Sequence, residues 1–205
     1  MTIEFTPWPK IPRLFRDVVI TEKIDGTNAA VVIEHTEDGR YDEYAFVPYK
    51  ALPDGICVAA QSRTRLITPE SDNFGFATWV WANAEALVET LGEGRHFGEW
   101  WGSGIQRGYG LTKGEKRFSL FNTPRYTKPE FDLTQVPGLG TVPVLYEGPF
   151  STYEVEACVE DLRSHGSVAA PGFDNPEGVI TFHVAAQTAF KTTLEKDESP
   201  KGIDA

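Results

Sequence analysis

Cysteine is almost missing from this chain: Cys57 and Cys158 are its whole complement in 205 residues, far apart and without a Cys or His at metal-ligand spacing. This argues against a zinc site, and two reduced, buried thiols are expected. Histidine is equally thin, with His35, His96, His165 and His183 too scattered to build a recognisable site. No apolar run of about 18 residues occurs, so no membrane-spanning helix is expected. The N-terminus from Met1 to Pro9 lacks the basic and apolar regions of a signal peptide, which makes a cytoplasmic location the expectation. Positive charge is also in deficit, with 19 Lys and Arg against 30 Asp and Glu and a net charge of −11. That balance argues against broad nucleic-acid binding, because such affinity comes mainly from Lys and Arg on phosphates. A polynucleotide substrate would need a local basic groove on an otherwise acidic surface.

What is present suits one aromatic-rich core: 40% of residues are hydrophobic and 12% are Phe, Trp or Tyr. The chain is long enough for a single domain, and no internal repeat divides it. β-Branched or alternating runs predict strands over 17–22, 29–35, 41–47 and 56–63. A helix is predicted over 74–91, with N-cap candidates at Ser71, Asp72 and Asn73, an apolar stripe of Phe76, Val80, Ala84, Leu87 and Leu91, and Gly92 closing it. Short strands follow at 96–101, 117–121 and 142–147. Ser151 to Glu154 reads as a capping box opening a second helix, with Val155, Cys158, Val159 and Leu162 inward and Gly166 at its end. Strands over 178–184 and 190–195 precede a charged tail, 196–205, expected to fray. The pattern is that of an α+β fold, a twisted antiparallel β core with flanking helices.

The chemistry centres on Lys23-Ile24-Asp25-Gly26-Thr27-Asn28, between the first two strands. Here a lysine sits where a strand breaks into a tight Asp-Gly turn. An ordinary lysine, with a pKa of roughly 10.4, is less than about 0.1% unprotonated at neutral pH and attacks nothing at a useful rate. It becomes a nucleophile when desolvation and nearby cations push that value toward about 7–8. Gly26, without a Cβ, would let a substrate approach the backbone. Taken alone the string also reads as a surface hairpin with a solvated lysine. Farther on, the run from Gly102 to Gly110 matches no phosphate-loop spacing and reads as a mobile loop that carries Gln106 and Arg107 toward substrate.

The hexapeptide resembles the nucleotidyl-acceptor motif of the covalent nucleotidyltransferase superfamily, in the form found in ATP-dependent RNA ligases of the phage double-strand-repair type. Further strings resemble the other motifs of that family in order: Gln61-Ser62-Arg63-Thr64, Phe97-Gly98-Glu99-Trp100, Lys116-Arg117-Phe118-Ser119-Leu120-Phe121, Glu177-Gly178-Val179-Ile180 and Phe190-Lys191. The resemblance implies an ATP-grasp-like adenylation domain of the kind found in DNA and RNA ligases, using ATP with Mg²⁺ or Mn²⁺. Lys23 would attack the α-phosphate to form lysyl-AMP, and the AMP would pass to an RNA 5′-phosphate before joining to a 3′-hydroxyl. In this reading Glu22 and the backbone of Thr21 read adenine, and Phe118 stacks on it. Arg63 and Glu99 position ribose and phosphate, Glu177 assists the metal, Lys191 neutralises charge at phosphorus, and Asn28 serves end joining. Phe118 alone reads equally as a core residue of an alternating strand.

Thr193 departs from the family pattern by standing where a second lysine is usual, unless Lys196 or Lys201 reaches back. The chain ends about 14 residues after Lys191, so a single domain, 1–205, without a C-terminal β-barrel (OB) domain is expected. That favours RNA over DNA as substrate, alone or with a partner protein, and leaves a minimal DNA ligase as an open alternative. Two alternatives belong to other classes: a non-catalytic nucleotide- or RNA-binding module of an RNA-repair complex, and an adenylyltransferase acting on another acceptor.

Overall fold

The computed structural model describes residues 3–35 and 49–195; the strand expected over 41–47 and the tail over 196–205 lie outside them. In chain order the described residues form β1 (Asp17–Lys23), β2 (Thr27–His35), β3 (Tyr49–Ala51), β4 (Ile56–Ser62), β5 (Leu66–Ile67), α1 (Phe76–Ala82), α2 (Ala84–Leu91), β6 (Gly94–Gly102), β7 (Lys116–Leu120), α3 (Thr123–Tyr126), β8 (Leu139–Thr141), β9 (Val144–Pro149), α4 (Thr152–His165), β10 (Gly178–His183) and β11 (Thr188–Thr193). They build two sheets, a small one ordered β11-β10-β1-β9 and a large one ordered β3-β4-β2-β6-β7-β8, with β5 paired to β4. The expected α+β architecture is what forms. Pairing is antiparallel except between β7 and β8, which run parallel.

Strand alternation gives each sheet one helix-covered face and one face toward a shared cleft. On β1, Val18 and Ile20 pack with Val179 beneath Cys158, Val159 and Leu162 of α4. On the large sheet, Val31, Ile33, Trp100, Phe118 and Leu120 pack against Phe76, Val80, Leu87 and Leu91 of α1 and α2. Burying each such side chain is worth about 1.5–3 kcal/mol. The opposite faces remain for chemistry. No helix among the described residues is long and apolar enough to cross a membrane.

Two expectations about elements are corrected. The helix over 74–91 is two helices, because Asn83 leaves helical geometry (φ −111°, ψ 16°) and its Nδ2 donates to the Trp79 carbonyl at 2.8 Å. Such side-chain bonding to a nearby backbone group competes with helix continuation, yet the whole predicted stripe stays buried. The Asp25-Gly26 turn is not a hairpin turn, since β1 pairs with β9 and β10 whereas β2 pairs with β4 and β6. It carries the chain from one sheet to the other, and so places Lys23 at their junction.

Candidate active site

The junction is built closely around Gly26. A Cβ there would lie 2.4 Å from the Trp100 carbonyl oxygen and 2.8 Å from Trp101 Cβ, so the requirement for glycine is close approach of backbone. Asp25 is fixed twice: its carboxylate accepts from Arg107 Nε at 3.1 Å, and its N–H donates to the Tyr109 hydroxyl at 2.9 Å. Arg107 also donates to the Asn175 carbonyl at 3.3 Å and to Glu195 at 3.1 Å. Tyr109 is buried between Trp101 and Phe173, with ring centroids 5.3 and 4.6 Å away. The loop expected to swing Gln106 and Arg107 toward substrate therefore braces the lysine turn instead. The sequence signal for this is an aromatic residue, Tyr109, between two glycines in a loop leaving a Trp-rich strand.

Lys23 Nζ donates to a carboxylate oxygen of Glu177. The register explains the meeting: Lys23 is opposite Gly178, so Glu177 enters beside the end of β1. Gly178 adopts φ +152°, and a Cβ on it would lie 2.2 Å from the Thr192 carbonyl oxygen, which accounts for glycine directly after the glutamate. Lys191 stands opposite Ile180, itself opposite Thr21, and Thr193 stands opposite Gly178. Both Lys191 and Thr193 are thus on the face of Lys23. The Thr193 hydroxyl donates to the Glu195 carbonyl at 2.8 Å.

Across the cleft Glu99 is buried, accepting from Gly26 N–H at 3.1 Å and Asn28 Nδ2 at 2.8 Å. Burial pushes its carboxyl up to about 7, against the Asn28 hydrogen bond and the charge of Lys23. Unfolded, the same carboxyl would release its proton near 4.5. Between those values the folded state binds more protons, so this group's stabilisation is full below about pH 4.5, declines as pH rises, and is gone above about pH 7. Urea titrations should show roughly 2–3 kcal/mol lost across that window, beyond the loss in Glu99→Gln. Equal pH dependence in both proteins would contradict the assignment. Arg63 follows Ser62, which is opposite Ala29; it is exposed and lines the cleft near Asn28.

Two expected roles are corrected by strand parity. Glu22 shares its face of β1 with Val18 and Ile20, and its carboxylate accepts from Ser167 Oγ (2.6 Å), Val168 N–H (2.9 Å) and Ala169 N–H (2.8 Å). It ties down the 167–170 turn rather than presenting its carboxylate to a base, and burial raises its proton affinity against those hydrogen bonds. The backbone at Thr21 and Glu22 still borders the cleft, where the β1–β9 register slips and Glu22 N–H goes to the Pro143 carbonyl. Phe118 is fully buried, 5.0 Å from the Phe76 ring and 5.8 Å from that of Trp79, on the helix side of β7. Phe121, of opposite parity, is 43% exposed and lines the cleft. Phe118→Ala should therefore cost ~3–5 kcal/mol in urea unfolding, whereas Phe121→Ala should stay within about 1 kcal/mol of wild type; equal effects would sink the parity argument.

The cleft encloses about 1160 Å³. Lys23, Thr21, Ile180, Phe182 and Lys191 line it from the small sheet, and Asn28, Arg95, Phe97 and Glu99 from the large one. Among the described residues, five basic side chains (Lys23, Arg63, Arg95, Arg125, Lys191) border it against three acidic ones (Glu22, Asp25, Glu99). Asp25 and Glu22 are engaged, as Lys23 is by Glu177, and basic side chains outnumber acidic ones along the lining on a chain of net charge −11.

A lysine at a sheet junction, a carboxylate on each side of it and a basic cleft form the constellation of a nucleotidyltransferase domain. The RNA ligase family profile matches residues 16–193, and the chain belongs to that family. No curated protein matches it. Among solved structures, a mutant Naegleria gruberi RNA ligase with ATP and Mn superposes with a TM-score of 0.56 at 17% identity, covering 89% of this chain and 52% of that one. Another mutant of the same ligase, with AMP and Mn, gives a TM-score of 0.56 at 17% identity over 90% and 53%. At such identity the likeness establishes the fold, and the chain spans about half the length of these structures.

Proposed function

We propose that this domain is an ATP-dependent RNA ligase acting through a covalent lysyl-AMP. The observation that carries this reading is the Lys23–Glu177 pair in the basic cleft of an RNA ligase family fold. The neighbouring ligase structures hold ATP or AMP with Mn, and ATP fits as the nucleotide here. Its base would lie between Phe121 and Ile180 on opposite walls, beside the backbone of Thr21, with Phe121 taking the part expected of Phe118. Arg63, Glu99 and Asn28 would meet ribose and phosphate, Asn28 also serving end joining. Lys23 Nζ would form a bond to the α-phosphorus as the bond to pyrophosphate breaks, with Lys191 offsetting the charge that develops.

A divalent cation suits Glu177. Among the described residues no cluster of three or more metal-ligating side chains occurs, but Mg²⁺ and Mn²⁺ in nucleotide sites need only one or two carboxylates beside phosphates and water. When bound, the cation would shield the phosphates and occupy the carboxylate that now holds Nζ as a hydrogen-bond donor. The AMP would then pass to a 5′-phosphate, and a 3′-hydroxyl would displace it. Incubation with ATP, Mg²⁺ or Mn²⁺ and nicked RNA or DNA tests the reading: RNA nicks should be sealed in preference to DNA nicks. Transfer of AMP only to a protein or small molecule would oppose it.

A further inference from the structure

The proposed adenylation chemistry gives no part to Arg95, Phe97 and Arg125, which line the same cleft. On β6, alternation puts Arg95, Phe97 and Glu99 on the cleft face, in a row whose ends are about 13 Å apart at two residues per 6.6–6.8 Å. Phe97 is 51% exposed, although a ring of its size is ordinarily covered. Arg125 lines the same cleft from α3 and is held there by a built support. His96, between Arg95 and Phe97 and facing the core, bonds through Nδ1 to the Tyr126 hydroxyl at 2.8 Å. This locks α3 to β6, while the Arg125 guanidinium lies 5.3 Å from the Tyr126 ring and 5.6 Å from that of Phe131. Among the described residues Arg95 pairs with Glu34 at 3.7 Å, an exposed contact of little strength.

Resting on the ligase reading, we infer that Arg95, Phe97 and Arg125 form the docking subsite for the polynucleotide strand. The two arginines take its backbone phosphates and Phe97 stacks on an unpaired base. A cleft of 1160 Å³ exceeds the usual volume of a single small-molecule site, roughly 300–1,000 Å³, and so leaves room beyond one nucleotide. Sequence-tolerant strand binding combines a basic groove with exposed aromatic rings, which is what this row offers. Phe97 neighbours Phe121, whose N–H donates to the Phe97 carbonyl at 3.0 Å, so a strand base stacked on Phe97 would lie next to the adenine.

The test measures two quantities for Arg95→Ala, Phe97→Ala and Arg125→Met, the last of which keeps an apolar stem against the rings. The first is binding of a fluorescent 5′-phosphorylated RNA oligonucleotide over a range of salt concentrations. The second is formation of enzyme-AMP from ATP. Each arginine variant should bind RNA about tenfold more weakly and lower the log–log salt slope by about 0.7, and Phe97→Ala should weaken binding at least about fivefold. Enzyme-AMP should form within about twofold of the wild-type rate. RNA binding with unchanged affinity and slope overturns the inference. So does loss of enzyme-AMP alone, which would assign the arginines to the triphosphate. A wild type that binds RNA through these residues yet forms no enzyme-AMP would refute the ligase reading and keep the subsite.

Discussion

Lys23→Ala is expected to leave the fold intact and to abolish transfer of label from α-labelled ATP to the protein, a loss of at least about 10⁴-fold because the acceptor amine is removed. The side chain points into the cleft from the end of β1 and belongs to neither sheet's core. Its removal therefore leaves no hole in packed apolar surface, and urea midpoints should barely move. The measurement is retention of label on denatured protein. Labelling of the variant at more than about one hundredth of the wild-type rate would show that Lys23 is not the acceptor.

Glu177→Gln should be the second most damaging change to adenylation. The amide keeps the size of the side chain but gives up the charge that binds Nζ now and would bind the divalent cation in the loaded enzyme. Charge-positioning groups of this kind are worth about 10²–10³ in rate when removed. Single-turnover labelling at saturating ATP should fall by that factor, with a higher Mn²⁺ or Mg²⁺ requirement. The pair is only partly buried, with side-chain exposures of 23% and 17%, so stability should change by no more than about 1 kcal/mol. A rate within about threefold of wild type at ordinary metal concentration would remove Glu177 from the mechanism.

Much of this site is legible in the sequence, and the reason is local. Lys23, Glu99 and Glu177 each stand in a short glycine-containing string, and the glycines at 26 and 178 are dictated by backbone approaches within 2.4 Å. What is not legible depends on partners distant in sequence. Whether Phe118 or Phe121 faces the cleft is decided by pairing of Trp100 with Phe118 across β6 and β7, which fixes parity. The role of the Glu22 carboxylate is hidden for the same reason, since its donors lie some 145 residues away. Nothing local in Asp25-Gly26 says that the strands on either side enter different sheets. Arg107 and Tyr109 act through the fold, and only the folded chain brings them to Asp25.

The acidity of the chain, a sequence argument against a nucleic-acid enzyme, is not shared by the lining of the cleft. The positive side chains that line the cleft outnumber the carboxylates there, and those carboxylates are engaged by Arg107, by the 167–169 backbone and by Asn28. Net charge describes the whole surface, whereas binding responds to the local field.

The central claim is that Lys23 becomes covalently nucleotidylated, and intact-mass spectrometry tests it most directly. After incubation with ATP and Mg²⁺ or Mn²⁺, the wild-type protein should gain about 329 Da, the mass of one adenylyl group, on the peptide containing Lys23. An unchanged mass under those conditions, or an adduct mapped to any other residue, would contradict the account.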